Sequence, residues 1–333
     1  MKKALFSLLS ICFLFEITYA KKQYDEVMQD EVVYGIEQVS TWKYQHLLET
    51  GKYVKKYRNA HVGLSGCSCC DESISWGNGR KFYISNDNKY FISPTSRSIC
   101  FVDLFDNAEI VKSIEVNIGS DLGTISAVYQ ANDGRLIFNT NKGMYYTTEE
   151  NPKRFAKVND NSGTIIGEHG GYIYYMDFKT LWRTDMKSYE SETVTSNIFG
   201  FSMKYPYVYC SKGNEAGNGE IFRYNIETDK TELFLSNPGH GYCYPMVSPN
   251  GRWLLMTGNA LSPISGQQNV DIFLYDLKTM KLHQLTTHPG HDWHPVWGKE
   301  GKMVYFLSNR SNALYTDTVS VPYRMDVSSI VNE

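Results

Sequence analysis

The last third of the sequence contains a repeat of about 50 residues. Residues 238–240 read Pro-Gly-His, and the same three residues return 51 positions later, at 289–291. Segment 220–228 matches segment 271–279 at the same offset, and Tyr244-Pro245 returns as His294-Pro295. A period of this length, made of apolar strands and turns without a helical pattern, is typical of the blades of a β-propeller. The chain is therefore predicted to be an all-β protein with a single propeller domain.

A strand signature recurs along the chain and predicts the number of blades. It consists of an aliphatic residue, an aromatic or bulky residue, two spacers, and Asp or Asn before a turn. It occurs at 99–103, 144–146, 181–185, 221–225, 272–276 and 313–317. Complementary apolar segments, expected to be the inner strands, lie at 81–84, 135–138, 172–175, 207–209, 253–256 and 303–307. Six of each predict six blades within residues 41–328.

The segment 42–57 is left over from this count. Apolar and polar residues alternate on both sides of a turn signal at 48–52, which predicts a hairpin. We expect this N-terminal segment to supply the strand that closes the last blade, because closure removes an open sheet edge. If the hairpin belonged to a blade of its own, the propeller would have seven blades.

The N-terminus has the pattern of a signal peptide over residues 1–20. Lys2 and Lys3 precede an apolar run at 4–15, and a small-residue cleavage site ends at Ala20. Cys12 follows a bulky residue, Ile11, which argues against lipidation at that cysteine. Residues 21–40 are charged and polar and are expected to form a lead-in. The mature protein is predicted to be periplasmic or secreted in a bacterium, with no transmembrane segment after cleavage.

Composition narrows the classes of partner. The net charge is −3 and the pI is near 6.3, so the chain lacks the basic surface of a nucleic-acid-binding protein. No linker or charge block divides the chain, which indicates one domain, and we expect a monomer.

Six cysteines follow the signal segment, and export favours disulfides or buried thiols over a metal cluster for Cys67, Cys69, Cys70, Cys100, Cys210 and Cys243.

The blade repeat resembles the motif of TolB-type propellers, which runs Pro-x-Trp-Ser-Pro-Asp-Gly, an apolar strand, then Ser-x-Arg. Segment 294–310 carries one copy and segment 244–256 a second, which keeps the Ser-Pro-Asn-Gly turn. The resemblance is clear over about 220–325. It implies a propeller whose axial face binds a protein or a glycan. The motif specifies a blade and not an activity.

The C-terminal third is also similar to oligogalacturonate lyases, propellers that cleave uronic-acid oligosaccharides with a metal held by histidines. The similarity lies in segment 273–279 and in the His294-Pro295 strand start. Where the lyases would have a His-x-His pair, this chain has Asp292-Trp293-His294. The preceding blade has Tyr242-Cys243-Tyr244 where a further histidine would be expected.

The candidate ligand-binding residues are His240, His291, Asp292, Trp293, His294 and Arg310. Loops that lead into inner strands converge near a propeller axis, so His240 and His291 are expected to face one another. His240, His291 and His294 would suit a divalent transition metal. The alternative is that these histidines satisfy loop carbonyls, or recur because the blade recurs. Arg310 is expected to lock its own blade, and catalytic residues stay unassigned.

Two functions follow from these patterns. The first is an exported, non-catalytic propeller that binds a protein or an oligosaccharide through its axial face. The second is a metal-assisted carbohydrate lyase that would act on uronic-acid oligosaccharides. In this reaction His240, His291 or a nearby Lys would take the proton α to a carboxylate, and Arg310, Arg183 or a metal would stabilise the resulting enolate. Five of the six tryptophans, at 76, 182, 253, 293 and 297, are predicted to be mainly core residues rather than sugar platforms.

Overall fold

A computed structural model describes residues 37–38, 83–94, 97–103, 110–116, 118–213, 219–236, 241–261, 268–288, 290–308 and 321–332. Within these ranges, 24 strands form six four-stranded antiparallel sheets. Five sheets consist of four consecutive strands, and the sixth takes its fourth strand from the N-terminal end of the chain. This is a six-bladed propeller, as predicted.

The strands follow chain order from blade to blade. The closing strand of blade 6 is β1 (Glu37–Gln38). Blade 1 contains β2 (Tyr83–Ile84), β3 (Tyr90–Pro94), β4 (Ser98–Asp103) and β5 (Ile110–Glu115). Blade 2 contains β6 (Ala127–Gln130), β7 (Leu136–Thr140), β8 (Gly143–Thr147) and β9 (Ala156–Asn159). Blade 3 contains β10 (Thr164–His169), β11 (Tyr172–Asp177), β12 (Thr180–Asp185) and β13 (Ser191–Ser196).

The remaining blades have the same plan. Blade 4 contains β14 (Gly200–Lys204), β15 (Tyr207–Gly213), β16 (Gly219–Asn225) and β17 (Lys230–Leu235). Blade 5 contains β18 (Tyr242–Val247), β19 (Trp253–Leu261), β20 (Gln268–Asp276) and β21 (Leu282–Gln284). Blade 6 contains β22 (Asp292–Trp297), β23 (Met303–Ser308) and β24 (Val321–Asp326), followed by the short helix α1 (Ser328–Val331). A 3-10 turn lies at Ser120–Leu122. No helix in the described ranges is long and apolar enough to span a bilayer.

An N-terminal strand closes blade 6, as predicted. It is β1, whose Glu37 and Gln38 pair with Arg324 and Tyr323 of β24. This strand lies within the segment expected to be a lead-in, and the hairpin predicted at 42–57 lies outside the described residues. Alternation along 42–57 indicated strand character, but only the position of the β24 edge determines which segment pairs with it.

The predicted order of strands within a blade needs two corrections. Five of the six segments expected to be inner strands form second strands, and only 81–84 overlaps a first strand, β2. The first strands lie innermost, since β10, β14, β18 and β22 contact one another in succession. The second strands read as inner because they are buried on both faces and almost wholly apolar. In blade 6, the third strand is β24 rather than the predicted 313–317, which lies outside the described residues.

Side-chain capping explains why the third strands end in Asp or Asn. The Oδ1 atoms of Asp185, Asn225 and Asp276 each accept the backbone N–H groups of the residues two and three positions later, at 2.7 to 3.2 Å. These short side chains satisfy backbone donors that a tight turn leaves unpaired. The Asp or Asn of the recurring strand signature thus stabilises the same kind of turn in several blades.

The core consists of apolar layers between neighbouring blades. Between blades 5 and 6, Trp253 and Trp297 are 2% and 8% exposed and pack with Leu255, Leu274 and Phe306. Both tryptophans are core residues, as predicted. Trp182 and Trp293 pack against other clusters, and Trp76 lies outside the described residues.

Cys100, Cys210 and Cys243 are buried thiols. Burial raises the pKa of the Cys210 thiol to about 12, so this group is an inert part of the core. Cys67, Cys69 and Cys70 lie outside the described residues.

Candidate binding site on the propeller axis

The direction of the first strands distinguishes the two ends of the propeller axis. We call the end where β10, β14, β18 and β22 begin the upper end, and the end where they turn into the second strands the lower end. Because strands in each blade are antiparallel, the turns from second to third strands lie at the upper end. The turns from third to fourth strands lie at the lower end.

Each of the four first strands in blades 3 to 6 contains an irregularity in register. The shifts fall between Ile165 and Gly167, Gly200 and Ser202, Cys243 and Met246, and Trp293 and Val296. A β-bulge leaves residues outside the ladder and redirects their side chains. The sequence repeat of Tyr244-Pro245 as His294-Pro295 therefore marks a repeated bulge.

Two of the bulge residues have left-handed backbone conformations. The φ angles of Tyr244 and His294 are 55° and 54°. A bulky residue in the left-handed region of φ/ψ space costs of order 1–3 kcal/mol of conformational energy, and residues strained in this way cluster at ligand sites. The two residues occupy the same position in neighbouring blades.

The bulges bring three rings from three successive blades into contact. The centroids of Phe201 and Tyr244 are 4.7 Å apart, and those of Tyr244 and His294 are 4.0 Å apart. We call Phe201, Tyr244 and His294 the aromatic track. All three side chains are partly exposed.

Hydrogen bonds between blades hold the bulges in place. The Ser202 hydroxyl donates to the Pro245 carbonyl at 2.8 Å and accepts the Val247 backbone N–H at 2.9 Å. The Thr257 hydroxyl accepts the backbone N–H of His294 at 3.1 Å. The bulge backbones of blades 5 and 6 are thus fixed by side chains of the neighbouring blade, which preorganises the track.

The imidazole of His294 is electrically neutral. Desolvation lowers its pKa to about 3, because the charged form of the ring loses more hydration than the neutral form. The aromatic track therefore presents aromatic surface and a neutral polar ring rather than a cation at physiological pH.

Side chains from blades 1, 2, 3 and 6 interact with one another around the axis. The Tyr83 hydroxyl of blade 1 donates to the Ile165 carbonyl of blade 3 at 2.8 Å, so its side chain reaches past blade 2. The Tyr83 ring packs edge-on against Tyr129, and the Tyr129 hydroxyl donates to Glu168 at 2.7 Å. Lys299 of blade 6 is solvent-exposed and lies near enough to Glu168 for the two charges to attract. We call Tyr83, Tyr129, Glu168 and Lys299 the axial plug.

The sequence-predicted site residues separate in the structure. His294 belongs to the aromatic track, whereas His291 stacks on Trp293 with centroids 5.8 Å apart. Asp292 is fully buried at the start of β22. His288 is buried too, and its Nδ1 accepts the Gly290 backbone N–H at 2.8 Å, which is a turn-stabilising role. His240 and Arg310 lie outside the described residues.

Sequence analysis missed Phe201 and Tyr244 as site residues. Tyr244 carried a signal, because it aligns with His294 in the repeat, but its ring was not considered as a ligand contact. Phe201 lies in a first strand whose sequence does not repeat the Tyr244-Pro245 pair. Contact between them depends on bulges that a sequence does not display.

The described residues do not fit the metal centre implied by the lyase similarity. They contain no group of three His, Cys, Asp or Glu side chains placed to hold a metal. In the neighbouring blade, the ring against His294 is Tyr244, which is not a ligand that divalent transition metals favour. The proposed pairing of His291 with His240 stays a prediction, because His240 is outside the described ranges.

Comparisons with known proteins show similarity in fold. No protein-family model matches the chain, and no curated protein matches it. Solved structures of similar fold include a putative TolB from Agrobacterium tumefaciens (12% identity, 74% of this chain and 89% of that chain, TM-score 0.48). TolB from Acinetobacter baumannii (13% identity, 70% and 63%, TM-score 0.40) and KlHsv2 (12% identity, 69% and 74%, TM-score 0.47) are others. The six four-stranded sheets confirm a six-bladed propeller, and these similarities concern the fold alone.

Proposed function

We propose that this protein is a non-catalytic binding propeller that recognises a protein or a glycan at the upper end of its axis. The observation that carries this proposal is the aromatic track. Its three rings come from three blades and remain partly exposed, and two of them, Tyr244 and His294, are held on left-handed bulge residues. Aromatic side chains supply a large contact area at low entropic cost, which suits a recognition surface.

The axial plug supports the upper end of the propeller, rather than the lower end, as the side that binds the ligand. Tyr83, Tyr129 and Glu168 interact across the hub from blades 1, 2 and 3. A ligand that reached the track from the lower end would have to break the hydrogen bonds of the buried Tyr83 and of the half-buried Tyr129 and Glu168, which is costly. The upper end is therefore the side from which a ligand would approach.

The lyase alternative gains no observation in its favour. A β-elimination would need a base and a cation converging on one substrate carboxylate and its α-proton. Among the described residues, Arg183 pairs with Glu192 on the outer strands of blade 3. It is thus not assembled with the histidines, and the binding function is the better supported of the two.

Cross-linking tests the proposed binding end. Phe201 would be replaced by the photoreactive residue p-benzoylphenylalanine, and Met280 would be replaced in a matched control. Met280 is 68% exposed and lies in the turn between β20 and β21 at the lower end. After irradiation of producing cells, the variant at position 201 is expected to give discrete adducts with a protein or glycan, at least about tenfold above the control. Equal adducts at both positions, or none at position 201, would refute binding at the upper end.

We also propose that the protein is exported and acts in the periplasm or outside the cell. The charged n-region, apolar run and cleavage site at residues 1–20 support this. The mature protein is expected to begin at Lys21. Intact mass spectrometry of protein from a producing bacterium would show the loss of residues 1–20. A mass that retains Met1, or a lipid adduct on Cys12, would contradict this cleavage.

A further inference from the structure

A second aromatic surface lies at the rim of the upper end, between blades 3 and 4. β11 and β12 are joined by a two-residue turn, Phe178-Lys179, flanked by the pair Asp177 and Thr180. Phe178 is 77% exposed, and its ring lies edge-on to Phe199 with centroids 5.9 Å apart. We call Phe178, Lys179 and Phe199 the rim patch.

The turn that presents Phe178 is held firmly against the neighbouring segment. The Ile198 backbone N–H donates to the Lys179 carbonyl at 3.1 Å, which joins the turn to the link between blades 3 and 4. That link leads directly into β14, which carries Phe201 of the aromatic track. The rim patch and the track therefore belong to the same end of the propeller.

Phe178 is unfavourable for folding in two respects. Its φ is 51°, at the first central position of a two-residue hairpin turn, where glycine is usual. The side chain also leaves most of its apolar surface in water. A left-handed, exposed phenylalanine adds little to stability, so a role in recognition accounts for it better.

Lys179 adds a positive charge to this apolar surface. Its Nζ lies 5.5 Å from the Phe178 centroid and 5.2 Å from the Phe199 centroid. Lys179 is exposed and forms no ion pair with a carboxylate in the described part of the chain. The ammonium group is thus available to a partner carboxylate beside an apolar contact.

We propose that the rim patch is a docking surface for a protein segment that carries an apolar or aromatic side chain next to Asp or Glu. Charge complementarity assigns the carboxylate to Lys179, and the two phenylalanine rings receive the apolar side chain. A sugar is a poorer fit, because the two rings meet at 80° and offer no flat platform. The proposal rests on the proposed function, since it names the class of partner for the same end.

Peptide selection against the full-length mature protein tests the proposal. Random dodecapeptides displayed on phage would be selected on the immobilised wild-type chain, and the best peptide would be measured by fluorescence polarisation. Enriched peptides are expected to pair an apolar or aromatic residue with Asp or Glu. Replacing that acid by its amide, or the variant Lys179→Glu, is expected to weaken binding by about tenfold or more.

Phe178→Gly separates recognition from folding. Glycine tolerates the left-handed turn, so this variant should melt at or above the wild-type temperature yet lose about tenfold or more in peptide affinity. Met280→Gly is the matched control, because Met280 is also exposed and left-handed, with a φ of 59°, but lies at the lower end. Met280→Gly should keep the melting temperature and the peptide affinity.

The outcomes distinguish this proposal from the proposed function. The rim patch would be overturned as a docking surface if the selection enriched neutral or basic peptides, or enriched no peptide at all. It would also be overturned if acidic peptides bound the Phe178→Gly and Lys179→Glu variants as tightly as they bind the wild type. The proposed function would survive any of these results if position 201 still forms adducts. If adducts at position 201 are missing while peptide binding depends on Phe178, the aromatic track fails and the rim patch stands.

Discussion

Replacing Asp276 by alanine is expected to lower the free energy of unfolding by about 3–5 kcal/mol. The Asp276 side chain is 3% exposed and accepts a hydrogen bond from Arg252 at 2.9 Å. It also accepts the backbone N–H groups of Lys278 and Thr279. Alanine would leave these three donors without the carboxylate, and urea denaturation at pH 7 would measure the loss.

Asn225→Ala is the matched control for this variant. Asn225 performs the same turn role in blade 4, accepting the N–H groups of Glu227 and Thr228. Its removal should cost only about 0.5–2 kcal/mol, as for a lost helix cap. Equal losses for Asp276→Ala and Asn225→Ala would show that the ion pair with Arg252 adds nothing.

The contribution of Asp276 depends on pH in a defined direction. The Arg252 guanidinium and the turn N–H groups hold the pKa of this carboxyl well below its usual range. A lowered folded-state pKa means that the stabilisation is present above pH about 4 and is lost as the pH falls through the folded value. The difference in unfolding free energy between wild type and Asp276→Asn should therefore shrink at pH values below about 4. A constant difference would contradict the assignment.

Trp297→Ala is expected to cost about 3–5 kcal/mol of unfolding free energy. The ring is 8% exposed within the layer between blades 5 and 6. Its indole N–H donates to the Met246 carbonyl at 2.8 Å, which ties β22 to the bulged strand β18. Removal would open a cavity and break a contact between blades. Thermal and urea denaturation would both report it.

Trp297→Phe separates packing from hydrogen bonding at this position. Phenylalanine keeps most of the apolar ring but removes the donor to Met246, so a loss of about 1–3 kcal/mol is expected. If Trp297→Ala were no worse than Trp297→Phe, the ring would not fill the layer between the blades. The Pro-x-Trp motif would then have another structural role.

Much of the fold could be predicted from local patterns. The Asp or Asn at the end of a third strand is a turn signal that works within four residues, so the signature located the third strands of blades 1, 3, 4 and 5. In blade 6 it selected 313–317 in place of β24. Trp253 and Trp297 were also predicted to be core residues, because each lies in an apolar strand of the repeating unit. The strand order was harder, since Pro245, Pro295 and the bulges make the first strands look irregular.

The candidate site was only partly predictable. His294 was identified, but it was grouped with His291 and His240 as a metal ligand set, and its contact in the structure is the ring of Tyr244. Phe178 was not singled out, because Tyr-Met-Asp-Phe-Lys-Thr-Leu reads as a continuous strand. Only the pairing of Asp177 with Thr180 places Phe178 in a turn.

The sequence by itself determined the repeating four-stranded unit, the turn chemistry and the number of blades, because each depends on neighbours a few residues apart. The tertiary structure alone decided which strands lie at the axis, that Phe201, Tyr244 and His294 meet, and that Tyr83 of blade 1 reaches Ile165 of blade 3. Those contacts join different blades, and ring closure and bulge geometry set them. A pattern along the chain carries no information about which side chains closure brings together.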